Sequence, residues 1–302
     1  MQRKHIALTI FILLLTACLS PLESSSPTPL ATGTPVPTNT STPFPTDTPT
    51  EPSSTPVPIP PRPIYTLNTI FDYDRHFVSV DETILYPNHT DESLASLTLA
   101  IAANLWPNCF QLASIFVDGI PVTDFALVGH RLAIPLPTPL EPASVSELHL
   151  RYGLSLPYAD QAQSLRARIF GYGDLQTNLT NWYPFVVPFM DGEWTIREPW
   201  SHGEYLVYPL ADFIVDLKFV NPDNAPIVAA SGAPESNGEY TRYTLTAGRI
   251  FALSASRDFE VASLKVEDVR ISSYFFPIYR NAGEGALVAS KQAIEVFSQR
   301  FG

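Results

Sequence analysis

The chain is poor in cysteine and in basic side chains. Its two Cys, Cys18 and Cys109 among 302 residues, are too few for the multi-bridge frameworks that hold small secreted domains together. Lys and Arg number 18 against 30 Asp and Glu, for a formal charge of −12. The basic residues do not cluster, and nucleic-acid binding requires a basic face, so that class of partner is excluded. An acidic balance of this kind reads as solubility. Several chemical signatures are also missing. HExxH is absent, and no two of the six His lie three to five residues apart, so no local zinc pair exists. Neither the nucleophile elbow G-x-S-x-G nor a G-x-G-x-x-G or P-loop is present. No solenoid- or propeller-length repeat is visible. The apolar run Ile6–Leu15 is too short to cross a bilayer comfortably.

That run does have a role. It follows Arg3 and Lys4 and ends in Leu15-Thr16-Ala17-Cys18, the layout of a secretory signal peptide closed by a bacterial lipobox. Residues 1–18 are therefore expected to be a lipoprotein signal. Cleavage before Cys18 and lipidation of its thiol would anchor the protein to the bacterial membrane, facing the extracytoplasmic side. Each buried lipid CH₂ contributes about 0.8 kcal/mol, so several chains hold stably. A plain signal peptide with an incidental Cys is the alternative. Residues 19–63 follow as a Pro/Ser/Thr-rich stalk, with 14 of the 30 Pro between Pro21 and Pro63. Such a segment buries too little apolar surface to offset its ordering entropy. In polyproline form, at ~3.1 Å per residue, it would reach on the order of 100 Å. Asn39-Thr40-Ser41, Asn88-His89-Thr90 and Asn178-Leu179-Thr180 match a glycosylation pattern that is common by chance.

From residue 64 the signal is β. "YTLNTIFDYD" places Tyr65, Leu67, Thr69, Phe71 and Tyr73 on one face, and "HFVSVDETILYP" places Val78, Val80, Glu82, Ile84 and Tyr86. The break at Asp74-Arg75 predicts a hairpin between them. Asp118-Gly119 and Gly129-His130 mark further two-residue turns. "SELHLRYGLSLP" puts Leu148, Leu150 and Tyr152 on one side. "ADFIVDLKFV" alternates Phe213, Val215, Leu217 and Phe219 against Asp212, Ile214, Asp216 and Lys218, a half-buried antiparallel strand. Strand patterns continue to about residue 275. Only after Pro277 does the period become helical, with apolar residues at Leu287, Ala293, Ile294, Phe297 and Phe301. The expected architecture is mainly β: an antiparallel, saddle-like β-sandwich over 64–280, then one C-terminal helix over 281–302. An amphipathic helix needs a partner surface.

Candidate chemistry is sparse. Cys109 reads as a buried small apolar residue. His202 with Glu204 reads as a polar loop rather than a ligand pair, and Ser231-Gly232 lacks the flanking glycines of an elbow. Asp212 and Asp216 share a wet strand face and read as solvated charges, not as an acid–base pair. The remaining feature is aromatic: three of the four Trp fall in "NWYPFVVPFMDGEWTIREPW". Trp182, Tyr183, Trp194 and Trp200 are candidate surface contacts for a glycan or a protein; packed beneath a loop they would instead be core.

The same stretch, with Ala211-Asp212-Phe213, Ala229-Ala230-Ser231-Gly232 and Phe251-Ala252-Leu253-Ser254-Ala255-Ser256, resembles the N-terminal domain of the aminopeptidase N family of gluzincin zinc peptidases, over roughly 65–302. The resemblance implies a saddle-shaped β-domain that packs on a thermolysin-like catalytic domain. It implies that the helix near 286–301 is the first element of that catalytic part, or the surface on which a catalytic subunit docks. The family's G-x-M-E-N strand and HExxH helix come later than this region, so no catalytic or zinc residue is carried over. Zinc is expected only in a catalytic domain, and no cofactor in this chain. Trp182-Tyr183-Pro184 stands where the family commonly has Pro-Cys-x-Asp/Glu-x-Pro. The other expectation is a non-enzymatic glycan- or protein-binding surface β-domain.

Overall fold

The computed structural model describes residues 60–159, 169–199 and 206–301. The first strands are β1 (Ile64–Asp72), β2 (Phe77–Pro87), β3 (Leu94–Ala100), β4 (Phe110–Val117), β5 (Ile120–Pro121), β6 (Ala126–Val128), β7 (Arg131–Leu140) and β8 (Val145–Ser155). Next come β9 (Phe170–Tyr172), β10 (Thr177–Leu179), β11 (Phe185–Val186), β12 (Phe189–Met190), β13 (Glu193–Trp194) and β14 (Ala211–Phe219). The last are β15 (Ile227–Ala230), β16 (Ala233–Ser236), β17 (Thr241–Gly248), β18 (Leu253–Ser256), β19 (Glu260–Val266) and β20 (Val269–Phe275), followed by helix α1 (Arg280–Phe301).

The frame is an eight-stranded sheet in the order β16-β17-β14-β1-β2-β8-β4-β5. Its inward positions are the alternating apolar residues: Leu67 and Phe71 from β1, Val78 and Ile84 from β2, Leu148 and Leu150 from β8, and Phe213 and Val215 from β14 are all buried. Two four-stranded sheets, β11-β3-β7-β6 and β15-β18-β10-β9, contribute Leu97, Leu99, Leu132, Ile134, Leu179 and Leu253 to the same continuous core. Fully burying one such side chain contributes about 1.5–3 kcal/mol. The mainly β, largely antiparallel class and the single long helix following it are as expected.

One pairing differs. The alternation of β14 reads as that of a strand in an antiparallel sheet, yet it lies parallel to β1 as well as antiparallel to β17. A parallel neighbour needs a long crossover, which the intervening strands supply. The junction is aromatic: Tyr65 pairs in register with Phe213, their rings stacked at 5.3 Å. Tyr65 Oη also accepts a hydrogen bond from the backbone N of Val186 at 3.0 Å, tying the large sheet to β11.

The turns follow their sequence signals. Asp118 and Gly119 take φ of 51° and 76°, the left-handed pair that a two-residue hairpin demands. Strands β19 and β20 form a hairpin of their own, and α1 packs on it. Gly283 makes this close approach feasible, since a Cβ there would lie 2.2 Å from Phe275 Cδ1. Arg280 pairs with Glu260, and Ser273 Oγ donates to the Gly283 carbonyl at 2.9 Å.

Candidate functional site

The aromatic stretch turns inward. Trp182 is fully buried and Tyr183 nearly so, which corrects their candidacy as surface contacts. The reason is polar as well as apolar. Trp182 Nε1 donates to the Phe251 carbonyl at 3.2 Å, and Tyr183 Oη accepts from the Phe251 backbone N at 3.0 Å. Both rings thereby hold the strand entering β18, with their polar tips satisfied inside the core. Trp194 is half-buried, edge-on to Phe189 at 5.0 Å. Trp200 lies outside the described residues, as do His202, Glu204, Cys18, Asn39 and nearly all of the stalk.

The other candidates resolve individually. Cys109 is buried and free, and burial pushes its thiol up to about 12, so it behaves as a small apolar residue. Asn88 is buried, with its amide donating to the carbonyls of Glu92 and Leu140; its sequon is not available in the fold. Ser231 Oγ accepts from the Ala252 backbone N at 3.2 Å. Asp212 and Asp216 are not merely solvated: Asp212 pairs with Arg62 at 2.7 Å, and Asp216 receives both Nε and Nη2 of Arg242 at 2.7 and 2.6 Å. Among the described residues no three His, Cys, Asp or Glu side chains converge as a metal site, so this donor set does not fit zinc. No helix among them is long and apolar enough to cross a membrane.

Two surfaces remain. The first is the outward face of the eight-stranded sheet, which carries a cavity of about 810 Å³. Strand register arranges its floor in transverse rows. Arg242 stands opposite Asp216, Asp216 opposite Asn68, Asn68 opposite Asp81, and Asp81 opposite Arg151. The row therefore reads Arg-Asp-Asn-Asp-Arg across β17, β14, β1, β2 and β8. Arg151 Nε meets Asp81 at 2.9 Å, and His149 meets the same carboxylate. Burial pushes the Asp81 carboxyl up, but His149 and Arg151 outweigh it and hold it below its ordinary value. The adjoining row carries Lys218, Ile70, Ser79 and Gly153, with the Phe77 ring laid over Gly153, where a Cβ would meet Phe77 Cζ at 2.7 Å.

The second surface is on α1. Gly283 and Leu287 are buried on the hairpin. The same stripe continues through Ile294 to Phe297 and Phe301, which are 60% and 79% exposed, so the last two turns present an apolar face that the hairpin does not cover.

Beneath the groove lies a residue whose burial the alternation pattern implied without explaining. Glu82 shares the inward face with Val80 and Ile84 and is fully buried. No well-formed hydrogen bond reaches its carboxylate oxygens, Tyr152 Oη or Thr69 Oγ1, although the Tyr152 hydroxyl still acts on the carboxyl as a hydrogen-bonding neighbour. Burial pushes the Glu82 carboxyl well above its ordinary value; the Tyr152 hydroxyl pulls the other way and does not compensate. Burial therefore favours its neutral form. Its signal was an acid in an inward frame between two aliphatic residues.

Comparison with known proteins gives matches in structure only. No family model and no curated protein matches the chain. Among solved structures it is similar to an M1 zinc metallopeptidase from Deinococcus radiodurans, with 14% identity and a TM-score of 0.45. A mutant of the Deinococcus enzyme bound to a Tyr-Ser-Ala substrate gives 15% and 0.45, and a two-domain M1 zinc metallopeptidase mutant bound to L-tryptophan gives 16% and 0.44. Each alignment covers 70% of this chain and 46% of the other, so the chain spans about half the length of these structures.

Proposed function

We propose that residues 64–280 form the non-catalytic β-platform of a surface-anchored protein of the zinc-aminopeptidase type, and that α1 is where a thermolysin-like catalytic unit packs, whether in the same polypeptide or as a separate subunit. The sequence motifs of the aminopeptidase N type named above support this reading. The observation that carries it is the apolar stripe on α1, continuous from Leu287 on the hairpin to the exposed rings of Phe297 and Phe301. These rings sit 6.1 Å apart on adjacent turns. An exposed apolar patch of this kind marks an interaction surface. In the same proposal, Cys18 carries the lipid and the stalk sets the platform away from the membrane. A catalytic unit would supply the zinc-activated water and a Glu general base; among the described residues no group of His, Cys, Asp and Glu is gathered to hold a metal.

The test is isolation of the native protein from its source cells. The reading expects G-x-M-E-N and HExxH either in the continuing reading frame or in a stoichiometric co-purifying subunit, whose association is lost with Phe297→Asp. The 302-residue chain alone is expected to bind no stoichiometric zinc and to leave aminoacyl anilides uncleaved. Turnover with bound zinc by that chain, or a native form with no peptidase motif in cis or in trans, overturns the reading. A binder acting through Trp182 and Tyr183 is not supported, because both are interior.

A further inference from the structure

We propose that the groove on the outward face of the eight-stranded sheet binds a neutral oligosaccharide. This site is independent of the platform role and uses none of the aromatic residues singled out in the sequence. Its volume, about 810 Å³, falls in the range of roughly 300–1,000 Å³ of ligand sites. Three features select the ligand.

The first is charge. Each carboxylate lining the groove is matched, Asp81 by Arg151 and His149 and Asp216 by Arg242, and the lining Lys218 pairs with Glu239 outside it at 3.7 Å. A floor so balanced attracts neither strong anions nor strong cations. Its planar carboxylates and guanidiniums nevertheless still present hydrogen-bonding edges to solvent, in the forked geometry that suits adjacent hydroxyls.

The second is Asn68. It sits at the centre of the transverse row, directly opposite both Asp81 and Asp216. It is exposed, and its side chain has no hydrogen bond to any described residue. A free amide offers donors and an acceptor together, matching hydroxyl groups that do both.

The third is the apolar strip beside that row. Ile70 is 49% exposed, Phe77 lies across Gly153, and Tyr240 carries Arg242 5.7 Å from its ring centroid. Sugar rings present a C–H face to such surfaces, and aromatic groups favour that contact. An extended peptide fits less well. On a sheet face the backbone groups are already paired with neighbouring strands, so a peptide would find no ladder to extend.

The experiment is isothermal titration calorimetry of the full chain, in a detergent without sugar head groups, against cellohexaose and chitohexaose, with acidic and basic decapeptides alongside. The expected result is binding of at least one hexasaccharide with a dissociation constant below about 1 mM. That binding should change less than about twofold between ~50 and ~300 mM salt, as suits a ligand without charge. Asn68→Ala and Tyr240→Ala should each weaken it by about tenfold, the scale of one lost hydrogen bond or ring contact, with unchanged circular dichroism and Trp emission. Failure of both hexasaccharides to bind, binding that both variants leave intact, or peptide binding in their place overturns the assignment.

Discussion

Glu82 offers the sharpest test of the interior. Two buried carboxylate oxygens without a well-formed hydrogen bond, in the same state as Tyr152 Oη and Thr69 Oγ1, form a polar defect between Leu67 on β1 and Leu150 on β8, the in-register neighbours of Glu82. A buried polar group left unsatisfied costs about 1–3 kcal/mol. Glu82→Met keeps the volume and removes both carboxylate oxygens, leaving only the Tyr152 and Thr69 hydroxyls, so unfolding free energy at pH 7 should rise by about 1–3 kcal/mol. In a folded region of this size that corresponds to roughly 2–4 °C of Tm per kcal/mol. The pH dependence separates charge from polarity. The folded-state pKa of Glu82 is raised above its unfolded value of 4.5. Stability from this group is therefore fully present below pH 4.5 and is lost as pH rises from there through the folded pKa. Glu82→Gln cannot ionise, so its stability relative to the parent should grow over that window and level off above it. Urea unfolding followed by the emission of buried Trp182, at pH 4, 5, 6, 7 and 8, reads both effects. A Glu82→Met protein less stable than the parent at every pH, or a Glu82→Gln difference that ignores pH, would show that the carboxylate is satisfied in solution, and the reasoning would fail.

Other perturbations follow from the same packing. Gly283→Ala gains about 1 kcal/mol of helix propensity but places a Cβ 2.2 Å from Phe275 Cδ1 and 2.8 Å from Phe275 Cβ; overpacking of about 1–3 kcal/mol should win, seen as faster proteolysis within α1. Trp182→Phe removes the donor to the Phe251 carbonyl and should lower stability by about 1–3 kcal/mol in urea titrations, while leaving any oligosaccharide binding at the groove unchanged. Cys109, with its thiol pushed up to about 12 by burial, should remain unlabelled by iodoacetamide at pH 8 in the native protein and react fully in urea, as read by peptide mapping.

What the sequence disclosed divides along a physical line. Inward and outward faces of β1, β2, β8 and β14 were legible because alternation is a local property, written into each strand by itself. The Asp118-Gly119 turn was legible because positive φ at consecutive residues restricts the choice of side chain. The stripe on α1 was visible as a period, but not which half the hairpin covers, since that depends on Phe275 meeting Gly283. Trp182 and Tyr183 could be core or surface until Phe251, some seventy residues on, presented its backbone to both. The groove was the least legible of all. Asp81 and Asp216 each looked like a charge on a wet strand. They become two arms of one row only because β14 lies parallel to β1 in the register that sets Asp216 against Asn68. A slip of one residue would move every side chain of β14 to the other face, bringing Val215 and Leu217 out to solvent and Asp216 into the core. The apolar alternation of β14 thus holds its own register by burial, and the arginine pairing on the outward face follows from it rather than directing it.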